Sequence, residues 1–169
     1  VHVEHFPTPR DLAREKSLLI VALPENGTLI LNADDATVRN MGPAHRGVLL
    51  TYGFSEDADI RASNTQIMYD GNRPVGLTLK VDVGGKSIPL RLPDTFGDHS
   101  VSAALAAFAV GVAVHINQVA CVEALQMLTP ARGRLRLIDG VKGTLILDDS
   151  YNASPVAMIA ALDAVEKLH

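Results

Sequence analysis

An α/β fold in two parts is what this sequence predicts, and three observations carry it. Two short apolar runs, Thr28-Leu-Ile-Leu31 and Thr144-Leu-Ile-Leu147, break abruptly into Asn and Asp, as buried strands do where a sheet meets its loops. Capped helical segments follow or precede such runs, with Thr8-Pro9 and Ser154-Pro155 as start signals. Between Ile60 and Leu92 the apolar period changes from helical to two, which marks antiparallel strands.

Composition sets the outer limits. A chain of 169 residues holds one domain comfortably, or pieces of two. With 47% hydrophobic and 20% charged residues it is no disordered segment, and a net charge of −4 gives it no nucleic-acid footprint. The single cysteine, Cys121, lies in an apolar helical pattern and reads as core filler, so no disulfide framework is possible. No stretch has the features of a signal peptide or the length of a membrane span; the Ala-rich run Val101 to Val114 is too short. A cytoplasmic setting is the expectation. The chain opens on Val1-His2-Val3-Glu4-His5-Phe6 without an initiator methionine, which reads as an entry in mid-protein.

Taken in order, Thr8 caps a helix with Pro9 at its first position and Asp11 reaching back. That helix carries Lys16, places Leu12, Leu19, Ile20 and Leu23 on one side, and stops at Pro24. A strand from Thr28 ends in Asn32-Ala33-Asp34-Asp35, a short helix runs up to Gly42-Pro43, and Gly47 to Tyr52 is a second strand. Gly53 to Ile60 is loop. Gly84-Gly85 is a two-residue hairpin turn that sets Val81 against Ile88, Leu79 against Leu90 and Leu77 against Leu92, keeping one face apolar. A helix led into by Asp94 to Ser100 and ending near Ile116, a second capped by Asn117 and ending near Leu128, and a linker at Thr129 to Gly133 follow. The predicted domains are 1–131 and 132–169. The second contributes a strand from Leu135 to Ile138, a turn at Asp139-Gly140, a strand ending at Leu147, and a helix with Val156, Ile159, Ala160, Val165 and Leu168 as its apolar stripe.

One apparent motif fails. Gly84-Gly85-Lys86-Ser87 has the end of a phosphate-binding loop, but the glycine required five residues before Gly85 is Lys80, and Ile88-Pro89-Leu90 cannot continue as its helix.

The segment Leu147-Asp148-Asp149-Ser150-Tyr151-Asn152-Ala153-Ser154-Pro155 has the strand–loop–helix form of an α/β ligand site, with carboxylates and amides beside a helix N-terminus. In wording it closely resembles the opening of the C-terminal domain in the Mur ligase family. Three further segments resemble that family in the family's own order. His2-Val3-Glu4-His5-Phe6 with Ala13-Arg14-Glu15-Lys16 is similar to the histidine segment and lysine-bearing helix of the central ATPase domain. Gly97-Asp98-His99-Ser100 through Ala107 is similar to its Gly-x-His helix start, and Gly133-Arg134 to its Gly-Arg pair. Leu31-Asn32-Ala33-Asp34-Asp35 is also a family string, to which the reading gives no chemical role.

The resemblance implies an ATP-dependent amide ligase of peptidoglycan precursor synthesis that works through an acyl phosphate. The member whose Asp-Asp-Ser-Tyr-Asn-Ala string matches best joins D-alanyl-D-alanine to a UDP-linked muramoyl tripeptide. On this pattern His2 and a carbamylated Lys16 hold Mg2+ and form the catalytic set. Asp149 accepts from the ribose hydroxyls of ATP, Arg134 offers a fork of donors to phosphate, and His99, Ser100, Tyr151 and Asn152 complete the nucleotide site. The implied architecture is the later part of the central ATPase domain, with its antiparallel hairpin, and the start of a Rossmann-like domain. Two departures accompany it: the Gly-Lys-Thr phosphate loop and the magnesium-binding glutamate are absent from the chain, and Ala103 stands where an adenine-contacting asparagine is usual. These 169 residues alone are therefore expected to be inactive. Other readings stay open, namely another Mur-like ligase of the folylpolyglutamate-synthase type, or a non-catalytic module that binds nucleotide or a partner. Taken singly, His2, His5, Lys16 and Arg134 are more often surface residues than ligands.

Overall fold

The computed structural model describes residues 6–168. Helix α1 (Pro9–Val21) opens with the reciprocal pairing its sequence predicts: the Thr8 hydroxyl accepts from the Asp11 N–H at 3.2 Å and donates to the Asp11 carboxylate at 2.6 Å. Strand β1 (Thr28–Asn32), helix α2 (Ala36–Arg39, capped by the Asp35 side chain) and strand β2 (Val48–Gly53) follow. Then come three long strands, β3 (Ile60–Asp70), β4 (Arg73–Val83) and β5 (Lys86–Pro93). The five strands form one sheet in sequential order, β1, β2 and β3 parallel and β3, β4 and β5 antiparallel.

The hairpin has the expected register, with Leu77 paired to Leu92, Leu79 to Leu90 and Val81 to Ile88. Pleating then sends all these side chains to one face, where Val81 and Leu90 are fully buried, while Lys80 and Arg91 point to solvent. Lys86 and Ser87 begin a strand, so the false phosphate loop is a hairpin tip. The period-two reading did not separate β3 from β4; a tight turn at Gly71-Asn72 does so, and β3 carries irregularities at Ser63/Gln66 and Met68/Tyr69 that blur its alternation.

Helices α3 (Asp98–Ala113) and α4 (Gln118–Gln126) cover the apolar face of this sheet. Val101, Leu105, Phe108 and Ala109 of α3 are completely buried, and Cys121, Val122 and Leu125 of α4 extend the same core. Alanines and Gly111 let α4 come close, since a Cβ on Gly111 would lie 2.5 Å from the Cys121 sulfur. The stripe expected on α1 is corrected: Ile20 is buried but Leu19 is 72% exposed, because nothing among the described residues packs on that side.

The string Leu31 to Asp35 now has a physical role. The Asp34 carboxylate accepts from the Phe54 N–H at 2.9 and 3.0 Å and from the Ser55 N–H at 2.9 Å, which ties the end of β1 to the end of β2. Gly53 makes room for it, since a Cβ there would sit 2.6 Å from both carboxylate oxygens. Burial, and secondarily the Asp34 charge, pushes the Tyr52 phenol above its usual value.

Beyond the Thr129–Gly133 linker, strands β6 (Arg136–Asp139) and β7 (Leu145–Asp148) pair antiparallel as a separate ribbon, followed by helix α5 (Pro155–Glu166). Ser154 caps α5 as predicted, accepting from the Ala157 N–H at 3.3 Å. Two details differ from expectation. Leu135 is not part of the strand: it takes a left-handed backbone (φ 46°) and is fully buried against Phe96 and Ala164. The packed face of α5 is Ala157, Ala160, Ala161 and Ala164, continued by Leu168 just beyond it, whereas Val156, Ile159 and Val165 of the expected stripe are 78%, 60% and 41% exposed. Two exposed ion pairs join this part to the first: Lys167 on Asp98 at 2.9 Å, and Arg73 on Asp139.

Candidate functional site

The site lies where the N-terminus of α3, the loop after β7 and the start of α5 meet. His99 from α3, Arg134 from the linker end, and Asp149 and Asn152 from the loop line one cleft of about 290 Å³. Ser154, Val156, Ala157 and Ala160 of α5 form its far wall. Four of the residues singled out in the sequence are thus neighbours although 50 positions separate His99 from Asp149.

Backbone geometry places each of them. Gly133 adopts φ 72°, and a Cβ there would approach the Tyr151 nitrogen to 2.9 Å, so only glycine fits comfortably. Its N–H donates to Asp148 Oδ2 at 3.1 Å and its carbonyl accepts from the Tyr151 N–H at 3.1 Å, stitching linker to loop. Arg134 then lies with its guanidinium 3.9 Å from the centre of the Tyr151 ring, a cation–π stack that pre-orients the fork. Asp149 Oδ1 accepts from the Leu135 N–H at 3.2 Å, while Oδ2 accepts no hydrogen bond among the described residues. Asp149 therefore offers one uncommitted oxygen, fewer than a ribose-gripping carboxylate with both oxygens open.

Sequence reading gave Asp149 a role and overlooked Asp148. Ser150 above all, and then the Gly133 N–H and the Arg136 charge, hold the Asp148 carboxyl below its ordinary value of 3.8. Its value to the site is to shape the loop. Two aspartates in sequence on a strand end, one facing each way, were the available signal.

A second recess of about 400 Å³ adjoins the cleft and shares His99 and Arg134 with it. Ser100, Ala103 and Ala104 of α3 form one side, and Leu128 with Thr129 to Ala131 of the linker the other. Leu92 and Thr95, to which the sequence reading gave no part in a site, close its end.

Of the expected metal pair, His2 and Lys16, the described residues include Lys16 alone. Lys16 stands exposed on α1 and lines neither cavity. His2 lies outside the described residues. Among the described residues no group of three or more His, Cys, Asp or Glu is placed to hold a metal ion. No helix among them is long and apolar enough to cross a membrane.

A mixed α/β sheet with two adjoining, largely apolar concavities edged by His99, Arg134, Asp149 and Asn152 has the form in which α/β proteins commonly hold small molecules. Comparison with known proteins narrows this. Residues 1–111 match the Mur ligase middle domain, and the chain belongs to the Mur ligase family, the ATP-dependent ligases of peptidoglycan precursor synthesis. It is 33% identical over 171 residues to the UDP-N-acetylmuramate–L-alanine ligase of Paenarthrobacter aurescens, covering 99% of this chain and 35% of that one. It is 32% identical over 170 residues to the UDP-N-acetylmuramoyl-tripeptide–D-alanyl-D-alanine ligase of Escherichia coli, covering 99% and 36%. Among solved structures, MurF of Acinetobacter baumannii superposes with a TM-score of 0.85 at 25% identity, over 99% of this chain and 35% of that one. The chain spans about a third of the length of the curated relatives it matches.

Proposed function

We propose that the protein containing these residues is an ATP-dependent ligase that adds D-alanyl-D-alanine to a UDP-linked muramoyl tripeptide, in the cytoplasm. The observation that carries this reading is the cleft in which His99, Arg134, Asp149 and Asn152 stand together between α3 and α5. In such a reaction a substrate carboxylate oxygen attacks the terminal phosphorus of ATP and ADP leaves; the amine nitrogen then attacks the acyl carbon, and phosphate leaves. The work asked of the protein is positioning and charge stabilisation. Arg134 suits phosphate oxygens, and the open oxygen of Asp149 suits a ribose hydroxyl. Tyr151 and Asn152 flank them, and Ser100 joins His99 at the mouth of the recess. Residues 1–131 act as the later part of the ATP-binding domain and 132–169 as the beginning of the C-terminal one, with the linker between separate cores as support.

Lys16 and His2 enter the proposal on the family pattern, Lys16 as a carbamate; acetate should partly rescue Lys16→Ala if that role holds. The Paenarthrobacter relative favours a second reading, addition of L-alanine to UDP-N-acetylmuramate. One experiment addresses both. Phosphate release is measured in the longest natural polypeptide containing these residues, with each amine and its matching UDP-linked acceptor. Dependence on D-alanyl-D-alanine supports the first reading; dependence on L-alanine alone replaces it with the second. Asp149→Ala should raise the KM for ATP roughly ten- to a hundredfold, the worth of one charge-assisted hydrogen bond. These 169 residues by themselves, lacking a Gly-Lys-Thr loop, should release no phosphate.

A further inference from the structure

A third cleft, of about 720 Å³, opens between α1 and the segment that runs from α2 to Ala44. Among the described residues it shares no lining side chain with the cavities around His99. We propose that it binds a diphosphate anion, at a site separate from the nucleotide cleft. Arg10 and Arg14 line it from α1, and Thr37 and Asn40 from the opposite wall.

Helical spacing puts the two guanidinium groups together. Positions 10, 14 and 17 recur at intervals of four and three, so Arg10, Arg14 and Ser17 share one face of α1, and that face lines the cleft. About 6 Å of helix separates the arginines, and two like charges at that spacing repel. An anion held between them turns the repulsion into attraction. Each guanidinium presents a fork of donors matched to phosphate oxygens. Across the cleft the Thr37 hydroxyl and the Asn40 amide supply further donors. Their wall is fixed by Asp35, whose carboxylate accepts from the Thr37 and Val38 N–H groups at 2.8 and 3.1 Å. One carboxylate also lines the cleft, that of Asp11, and it already accepts from the Thr8 hydroxyl at 2.6 Å. Two positive charges thus face one negative. Arg10 and Arg14 are exposed, so salt screens a singly charged ligand there, and a diphosphate, with several charges and oxygens for both forks, is the better fit.

The test is calorimetric titration of pyrophosphate, without divalent cations, into the longest natural polypeptide containing these residues. Arg10→Gln with Arg14→Gln should weaken one binding event by roughly tenfold or more, and Arg134→Ala should leave that event unchanged. Binding that is the same with and without the two arginines overturns the proposal, and so does binding that only Arg134→Ala removes. Thr37→Val with Asn40→Leu leaves every charge in place and should weaken the event about threefold. No change in that variant reduces the arginines to a diffuse charge and overturns the site. In the parent, pyrophosphate should shift the Arg10 and Arg14 Nε–H resonances; signals that stay still also overturn it. UDP separates the two carriers of this chemistry: affinity like that of pyrophosphate supports a diphosphate on a larger ligand, weaker binding supports the free anion, and binding of neither overturns both.

Discussion

The two halves of this molecule are built on different scales. Up to the linker, five strands and two helices enclose a continuous core in which Ile60, Val81, Leu90, Val101, Leu105 and Phe108 lose all or nearly all contact with water. After it, a two-stranded ribbon and one helix bury little more than Leu135 and Ala164, and they borrow Phe96 from the first half to do so. Val156, Ile159 and Leu162 of α5 remain more than half exposed. The site sits on the seam, so its His99 wall is rigid and its Asp149 wall is carried by the weaker unit. The contrast teaches that geometry at this cleft depends on how well the small unit is held against the large one.

The largest effect expected is on the rigid side. Phe108→Ala should cost about 3–5 kcal/mol in urea denaturation, a large part of a domain's stability, while Leu162→Ala on exposed α5 should stay within about 0.5 kcal/mol. Equal effects would erase the contrast. Next comes Gly53→Ala, where the new Cβ meets the Asp34 carboxylate at 2.6 Å. It should destabilise by about 1–3 kcal/mol and release the Phe54 and Ser55 amides to faster hydrogen exchange.

On the seam, Lys167→Ala removes the pair to Asp98. Exposed pairs are worth about 0.2–1 kcal/mol, so global stability should scarcely change, whereas α5 amides should exchange faster and the difference should shrink in high salt. The smallest effect is in the loop. Asp148 has a folded pKa below its unfolded value, so whatever it contributes is present above 3.8 and is lost as pH falls through the lower folded midpoint. Carboxyl NMR should find that midpoint below 3.8, and Ser150→Ala should move it upward.

Much of this was legible in the residues themselves. Strand pairing from Leu77 to Leu92 followed from period two and a Gly-Gly turn, and Asn117 and Ser154 capped their helices where short polar side chains preceded apolar runs. Helix faces were less legible, because α5 offers apolar residues nearly all round and only the ribbon beneath it decides that its alanines face inward. Of the site, the meeting of His99, Arg134, Asp149 and Asn152 could be suspected only from a family pattern, since no local period links α3 to the loop after β7. Leu135 was misread as strand because its left-handed turn is set by burial and by a distant carboxylate, neither of which shows in Leu-Arg-Leu-Ile.

That carboxylate belongs to Asp149, and it gives the residue an architectural duty beside the ligand-binding one proposed for it. A left-handed leucine sits about 1–3 kcal/mol above its relaxed backbone, and the bond to its N–H is one of the forces holding it there. Replacing Asp149 by alanine therefore removes the proposed nucleotide contact and also frees the Leu135 N–H, letting the linker relax around Arg134, the very next residue back along the chain. Asparagine separates the two, because its carbonyl oxygen can still accept from Leu135 while the negative charge is gone. A variant series at this one position thus distinguishes a ligand-binding role from an architectural one: the gap between alanine and asparagine measures the linker, and the gap between asparagine and aspartate measures the ligand.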